Sequence, residues 1–167
     1  SAGVGSITHL VFEGLKLGTG INVLHVPYRG LGPGFNDMVA GQVQFAMPGL
    51  AGALPYVNSG RLRALAVSGS QRAPLLPKVR TFKEIGIPDF ETVQWLGIMG
   101  PKRIPEEIAQ ALWSAVDQVL GEKEVKHRLA NEGIATMPMT QQAFSDYVSA
   151  DLAHWTKIVT SQGLREA

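Results

Sequence analysis

The chain has 167 residues, of which 45% are hydrophobic and 17% are charged, and its net charge at pH 7 is +1. This balance excludes both the basic surface of a nucleic-acid-binding protein and the polarity of a disordered chain. The chain contains no cysteine, which excludes disulfides, thiolate catalysis and thiolate zinc sites. No apolar run reaches the roughly 20 residues of a membrane-spanning helix. We therefore expect a compact domain, or one lobe of a two-lobed protein with a piece of the other.

Glycine and proline divide the first ninety residues into short segments that alternate between helix and strand patterns. Helical spacing of apolar residues predicts a first helix that begins after Ser6 and stops at Gly18 or Gly20. Further helices are predicted from Pro33 to Ala40 and from Leu50 to Asn58. An apolar, β-branched run predicts a buried strand from Ile21 to Val26, and further strands are predicted from Val43 to Met47 and from Leu62 to Val67. This alternation predicts an α/β fold with a largely parallel sheet.

The second half of the chain begins with a connector. Prolines and glycines break the pattern from Ser68 to Pro88, leaving one short helical turn near Thr81 to Glu84. Thr92 to Met99 is predicted to be a strand. Three amphipathic helices follow: Pro105 to Gly121, Glu124 to Asn131, and from near Thr140 to Gly163. Two of them carry long apolar stripes, Ile108, Leu112, Val116, Val119 and Phe144, Val148, Leu152, Trp155, Val159.

The loop Gly3-Val4-Gly5-Ser6 lies at the start of the first predicted helix. Backbone amides, a hydroxyl and the positive end of the helix dipole converge there, which suits a carboxylate or phosphate. The same residues also fit an ordinary serine-capped helix, and local sequence favours that interpretation. Thr8 replaces the third glycine of a dinucleotide fingerprint and no P-loop lysine follows, so nucleotide binding is not expected.

Two further loops follow predicted strands, which is where open α/β sheets place ligand-binding loops. The first contains Tyr28, Arg29 and Gly30, and it fits equally a ligand site or a glycine-rich turn with Arg29 in solvent. The second, Pro48 to Leu50, has small residues that let a ligand approach the backbone but carries no charge.

Catalytic and metal-binding sites are not predicted. No two of the histidines at positions 9, 25, 127 and 154 have the i, i+4 spacing of a helical zinc site. Ser6, His9 and Asp37 supply the residue types of a nucleophile triad, yet the G-x-S-x-G elbow is missing. We therefore expect no catalytic residue, no metal and no cofactor.

Eight short motifs follow one another along the whole chain. They are His25-Val26-Pro27-Tyr28-Arg29-Gly30, Gly41-Gln42-Val43, Ala53-Leu54-Pro55, Gly60-Arg61-Leu62-Arg63-Ala64-Leu65-Ala66-Val67, Leu76-Pro77-Lys78-Val79-Arg80-Thr81, Gly86-Ile87-Pro88-Asp89-Phe90-Glu91, Trp95-Leu96-Gly97 and Trp155-Thr156-Lys157-Ile158-Val159. In this order and spacing they resemble the Bug, or TctC-like, receptors of tripartite tricarboxylate transporters. Each motif is weak alone, whereas eight in register are specific.

The resemblance implies a fold of the type II periplasmic-binding-protein kind, in which two α/β lobes close on a small acid without covalent chemistry. Residues 1–90 would form the second ligand-binding lobe, with a mixed sheet and covering helices. Residues 91–167 would supply the crossover strand and the C-terminal helices that complete the first lobe. The resemblance also implies a periplasmic location. The first five residues lack a signal-peptide pattern, so a signal and most of the first lobe are expected to precede Ser1.

The resemblance places the ligand-binding residues on three segments. They are Gly5, Ser6, Ile7, Thr8, Tyr28, Arg29, Gly30, Pro48, Gly49 and Leu50. The first segment would hold a ligand carboxylate, and the other two would line the rest of this lobe's wall. The expected ligand is a di- or tricarboxylate, an amino acid or an aromatic acid, which the receptor delivers to membrane permease subunits.

Two other functions stay open. One is a piece of an α/β enzyme that acts on a carboxylated metabolite, which the missing acid/base cluster argues against. The other is an interaction domain in which the glycine loops are only turns. In each case the apolar stripes of the C-terminal helices need a partner, so we expect this chain to self-associate.

Overall fold

The computed structural model describes residues 1–87, 90–161 and 163. The chain forms two compact units, and each is described by itself. The first contains Ser1–Gln94 and the chain from Leu152 onward, and the second contains Trp95–Asp151. The sequence prediction divided the chain once, after residue 90. Pro88 and Asp89, which belong to one of the eight motifs, lie outside the described residues, and Pro88 is also the last residue of the predicted connector.

The described residues form six α-helices and one 3-10 helix. These are α1 Ile7–Thr19, α2 Leu31–Val39, α3 Leu50–Asn58, the 3-10 helix Lys83–Ile85, α4 Glu106–Gly121, α5 Lys123–Asn131 and α6 Gln141–Ser161. All the predicted helices are confirmed to within a few residues. The largest shift at a start is in α2, which begins two residues before Pro33, because Gly30 with a φ of 89° turns the chain directly into the helix. No described helix has the length and hydropathy needed to span a membrane.

The predicted strands do not form paired strands within the described part of the chain. Residues 21–26, 43–47, 62–67 and 92–99 belong to no ladder, and a single parallel pairing joins Val67 to Thr81. Leu24 is 87% exposed and Leu65 is 62% exposed. The prediction that these runs form strands, and that Ile21 to Val26 is buried, is therefore wrong for the described residues.

Missing pairing partners explain this difference. β-branched residues favour an extended backbone, but a strand also needs a neighbour whose N–H and C=O groups face its own. Within the described residues such neighbours occur only at the ends of the predicted strands: the Val67 N–H donates to the Arg80 carbonyl at 3.0 Å, and the Thr92 N–H donates to the Ser68 carbonyl at 3.0 Å. Sequence periodicity identifies a run that can pair, but not the segment that pairs with it.

The first unit buries apolar side chains from its first three helices. Val11 and Leu15 on α1, Phe35 on α2 and Leu54 on α3 are buried. Phe35 also stacks on Tyr56 of α3, with 4.6 Å between the ring centroids. Burial of each large apolar side chain is worth about 1.5–3 kcal/mol, so these contacts fix the helices whose N-terminal ends are described below.

The second unit is held by two tryptophans rather than by a buried core. Nε1 of Trp95 donates to Asp151 at 2.8 Å, and its ring meets Phe144 edge-on at 5.7 Å. Nε1 of Trp113 donates to the Met139 carbonyl at 2.7 Å. None of the described residues of this unit is fully buried. Its apolar stripes therefore lack sufficient cover within the unit.

Candidate ligand-binding site

The N-terminal end of α1 is preceded by a sharp glycine turn. Gly3 and Gly5 have φ values of 133° and 75°, which only glycine adopts without strain. Ser6 occupies the N-cap position with φ −66° and ψ 157°, but its side chain does not cap the helix. Its hydroxyl donates instead to the Gly3 carbonyl at 2.7 Å. The Ser6 hydroxyl is thus used within the turn, and it does not accept a hydrogen bond from the N–H groups at the start of α1.

The amides of Ile7 and Thr8 are the first two of α1. The next two N–H groups, of His9 and Leu10, both donate to the Ser6 carbonyl, at 2.9 and 3.0 Å. Within the described residues no protein acceptor is recorded for the N–H groups of Ile7 and Thr8. Orphan amides at the positive end of a helix dipole are suited to an anionic oxygen.

The structure brings Gly5 and Ser6 to the same place, but their polar groups are occupied. The Gly5 N–H donates to Nδ1 of His9 at 3.1 Å, and the Ser6 N–H donates to the Gly3 carbonyl at 3.2 Å. The Thr8 hydroxyl accepts a hydrogen bond from the Ala2 N–H at 2.9 Å. Of the four predicted residues in this segment, Gly5 and Ser6 therefore shape the turn, whereas Ile7 and Thr8 retain the available donors.

A polar group of four side chains, which we call the histidine cluster, adjoins this turn: the buried His9 and Glu13 and the half-buried Lys16 and His25. His9 is 3% exposed and Glu13 is 4% exposed. The His9 and His25 rings stack with centroids 3.9 Å apart, and Nε2 of His9 lies 3.7 Å from Glu13. Lys16 pairs with Glu13 at 2.9 Å. Burial lowers the pKa of both histidines, and in His25 the neighbouring His9 lowers the pKa further.

The segment Tyr28 to Gly30 runs beside the first residues of the chain. The Gly30 N–H donates to the Ala2 carbonyl at 3.2 Å, which brings this loop next to the turn before α1. The Tyr28 hydroxyl is taken by Asp37, to which it donates at 2.7 Å. Arg29 is exposed. Gly30 and the neighbouring Arg29 thus lie near the start of α1 in space, whereas the hydroxyl of Tyr28 is occupied by its hydrogen bond to Asp37.

The segment Pro48 to Leu50 leads into α3. Gly49 is its N-cap residue and has no side-chain cap. A Cβ placed on Gly49 would lie 2.8 Å from Oε1 of Gln94, so a polar side chain adjoins this helix start. Sequence analysis missed Gln94, because no local pattern links it to a loop so distant along the chain. Pro48 to Leu50 have no polar side chain, and Gln94 places one beside them.

The described residues contain no group of three histidine, aspartate or glutamate side chains placed to hold a metal ion.

The chain is similar in fold to solved periplasmic binding proteins, among them BugD. The R. palustris protein Rpa4515 with adipate is 31% identical with a TM-score of 0.86, over 96% of this chain and 54% of that one. MatC from Rhodopseudomonas palustris with bound malate is 28% identical with a TM-score of 0.82, over 93% of this chain and 54% of that one. The predicted α/β fold, amounting to about half of a periplasmic binding protein, is confirmed.

The chain belongs to the TctC family, the tripartite tricarboxylate transporter family receptors, whose profile matches residues 1–164. This confirms the resemblance found in the motifs. The chain is 31% identical to the UPF0065 protein in the tcbD-tcbE intergenic region of Pseudomonas sp. strain P51, over 98% of this chain but 49% of that protein. It is 30% identical to the UPF0065 protein in the clcB-clcD intergenic region of Pseudomonas knackmussii, over 98% of this chain and 97% of that protein. The chain thus spans about half the length of the first relative and nearly all of the second.

Proposed function

We propose that this chain captures a small carboxylate as part of an extracytoplasmic solute-binding protein of a tripartite tricarboxylate transporter. Family membership supports the receptor role. The relatives solved with adipate and with malate, which are both dicarboxylates, support the ligand class. The receptor acts in the periplasm by reversible binding, without covalent chemistry, and passes its ligand to the permease subunits of the transporter.

The observation that carries this proposal is the pair of orphan amides at the start of α1. A ligand carboxylate accepts hydrogen bonds from the N–H groups of Ile7 and Thr8 while the helix dipole stabilises its charge. A dipole contribution is worth about 0.3–1 kcal/mol at an exposed site, and each hydrogen bond to a charged group about 1.5–3 kcal/mol. Gly5 and Ser6 hold the turn that leaves this position open.

The other predicted segments complete the wall of this lobe. Arg29 and Gly30 flank the carboxylate position, since Gly30 is bonded to the residue that precedes the turn. Pro48, Gly49 and Leu50 contact the variable part of the ligand at the start of α3. There the side-chain amide of Gln94 distinguishes ligands by the polarity of the group that they present.

Replacing Ile7 with proline tests the role of the orphan amide. Proline at the first position of a helix keeps the helix intact and removes only an N–H that has no helical partner. The extended conformation of Ser6 is the one that a following proline requires. We expect Ile7→Pro to weaken binding of adipate and malate roughly tenfold to hundredfold in titration calorimetry, which corresponds to one charge-assisted hydrogen bond.

The matched control is Ile7→Val, which changes the side chain and keeps the amide. It should bind within about threefold of the original chain. Equal affinities for Ile7→Pro and Ile7→Val would show that the amide is not used. Binding of no small acid by any variant, together with turnover of a carboxylated metabolite, would favour the enzyme alternative instead.

A further inference from the structure

His9 has an unusual place in the turn before α1. It is the third residue of the helix, the position from which a glutamate or glutamine side chain often reaches back to the N-cap amide. Here Nδ1 of the imidazole reaches one residue further and accepts the N–H of Gly5 at 3.1 Å. The bond requires that Nδ1 carry no proton, because a protonated ring nitrogen is a donor. It therefore exists only while His9 is neutral.

The surroundings of His9 disfavour its charged form. The ring is 3% exposed, and it is stacked on His25 at 3.9 Å. Two charged rings at this separation would repel one another, so the two histidines take up protons in succession rather than together. The ammonium of Lys16 also disfavours charge on His9, while Glu13 favours it. Lys16 is paired with Glu13, which weakens that favourable effect.

We propose that His9 is a pH-sensitive positioning residue. Its neutral form holds the turn before α1 in the shape that captures an anion, and protonation of His9 releases the turn. The consequence for ligand binding rests on the proposed function, because it assumes that the amides of Ile7 and Thr8 form the anion site. The link between His9 and Gly5 does not depend on that assumption.

Two effects of protonation oppose each other at the anion site. The added charge attracts an anion by about 1 kcal/mol, which is about fivefold in affinity, at about 4 Å through water, and by more where water is excluded. Release of Gly5 frees backbone that must be ordered again on binding, and each such residue lowers affinity roughly tenfold. In about 1 M salt the Debye length is about 3 Å, so the attraction is screened. Loss of order is then the larger effect, and acidification weakens binding.

Nuclear magnetic resonance of the 167-residue chain tests the link without any ligand. Between pH 8 and pH 4.5 the Gly5 amide resonance should follow the ring nitrogens of His9 with one common midpoint below the ordinary value for histidine. In His9→Gln the side-chain oxygen can accept the same hydrogen bond and does not titrate, so the Gly5 amide should become independent of pH. His127→Gln, which changes an exposed histidine on α5, should behave like the original chain. Independent movement of the Gly5 and His9 signals would overturn the proposal.

Binding is then measured with sulfate, which remains a dianion over this range, by following the Ile7 and Thr8 amide signals. In about 1 M sodium chloride, the affinity of the original chain and of His127→Gln should fall about tenfold across the pH range in which the Gly5 and His9 signals titrate, whereas that of His9→Gln should change less than twofold. The same pH dependence in His9→Gln would overturn the regulatory role. If neither sulfate nor adipate moves these amides at any pH, the proposed function fails and the control of binding fails with it, while a shared Gly5 and His9 titration still establishes the positioning role.

Discussion

The phenol of Tyr28 donates a 2.7 Å hydrogen bond to the carboxylate of Asp37, and this bond ties the segment before α2 to the helix itself. The Tyr28 ring also lies against Gly34, where an added Cβ would come within 3.2 Å of Cδ2. The bond to Asp37 raises the pKa of Tyr28, so the hydroxyl stays protonated and remains a donor. Tyr28 thus supports the site by fixing the backbone that leads to Gly30.

Removing this hydrogen bond should affect stability more than binding. Tyr28→Phe deletes the donor and keeps the ring, so we expect a small decrease in the free energy of unfolding in urea. Asp37→Ala should cost a similar amount, and the double variant should cost less than the sum because both changes remove the same bond. Additive losses would show that the hydroxyl and carboxylate do not interact in solution.

The ion pair between Lys16 and Glu13 supports a second prediction. Glu13 is almost fully buried and Lys16 is a quarter exposed, so Lys16→Met leaves a carboxylate with little water and no cation beside it. We expect a loss of about 1–3 kcal/mol in the free energy of unfolding, less than for a fully buried pair because Lys16 reaches solvent. Lys157→Met removes an exposed lysine and should change stability by less than about 0.5 kcal/mol. Equal effects would mean that Glu13 does not need its partner.

The histidine cluster makes stability depend on pH. The pKa values of His9 and His25 are lowered in the folded chain, so the unfolded chain binds more protons once the pH falls below the ordinary histidine value of about 6.5. The free energy of unfolding should therefore decrease from that pH down to the folded-state pKa values and then level off. Urea midpoints at a series of pH values measure this, and His9→Gln should flatten the slope. A slope unchanged by this substitution would exclude His9 as its source.

Helix positions could be predicted from the sequence because their signals are local. Gly20 and Gly133 adopt positive φ where helices end, and Glu106 and Glu107 follow Pro105 at the start of α4. The 3-10 turn is similarly local, since Thr81 and Glu84 exchange hydrogen bonds across three residues. Each of these signals acts within one turn of its own residue, so one sequence suffices to find it.

The pairing of extended runs and the details of the site could not be predicted in this way. Val67 pairs with Thr81 and the Thr92 amide bonds to the Ser68 carbonyl, which are contacts between segments that no periodicity relates. The contact between Gln94 and the start of α3 is equally distant along the chain and could not be predicted from local sequence. The glycine-serine turn was identified, but the use of the Gly5 amide by His9 depends on the tautomer and burial of a side chain. The position of His9 in the sequence reveals neither the tautomer nor the burial of its ring.

Gln94 gives a prediction about ligand choice. Its side chain adjoins Gly49 at the start of α3, so Gln94→Glu places a negative charge where the proposed site receives the second end of a ligand. We expect binding of adipate to weaken about tenfold through charge repulsion, and binding of a monocarboxylate such as hexanoate to change less than threefold. Gln71→Glu adds the same charge at another exposed position and controls for net charge. If both acids weaken equally, Gln94 does not distinguish them.

The apolar stripes of the second unit support the last prediction, which is that this chain self-associates. Ile108, Leu112 and Val119 of α4 are 51%, 49% and 48% exposed, and Leu96 and Ile98 are 84% and 70% exposed. These side chains form the apolar surface that a contact between copies would bury.

Light scattering at micromolar concentration should therefore show an oligomer. Leu112→Glu places a charge in the middle of the α4 stripe and should shift the chain toward a monomer, whereas Gln118→Glu, off that stripe on the same helix, should not. Affinity for a small acid should be weak in both, because the chain covers 54% of each binding protein solved with adipate or malate and so offers only part of the contacts that enclose a ligand. A monomeric original chain with slow hydrogen exchange throughout α4 and α6 would contradict the self-association. Tight binding of adipate by such a monomer would show in addition that the surfaces in this chain suffice for capture.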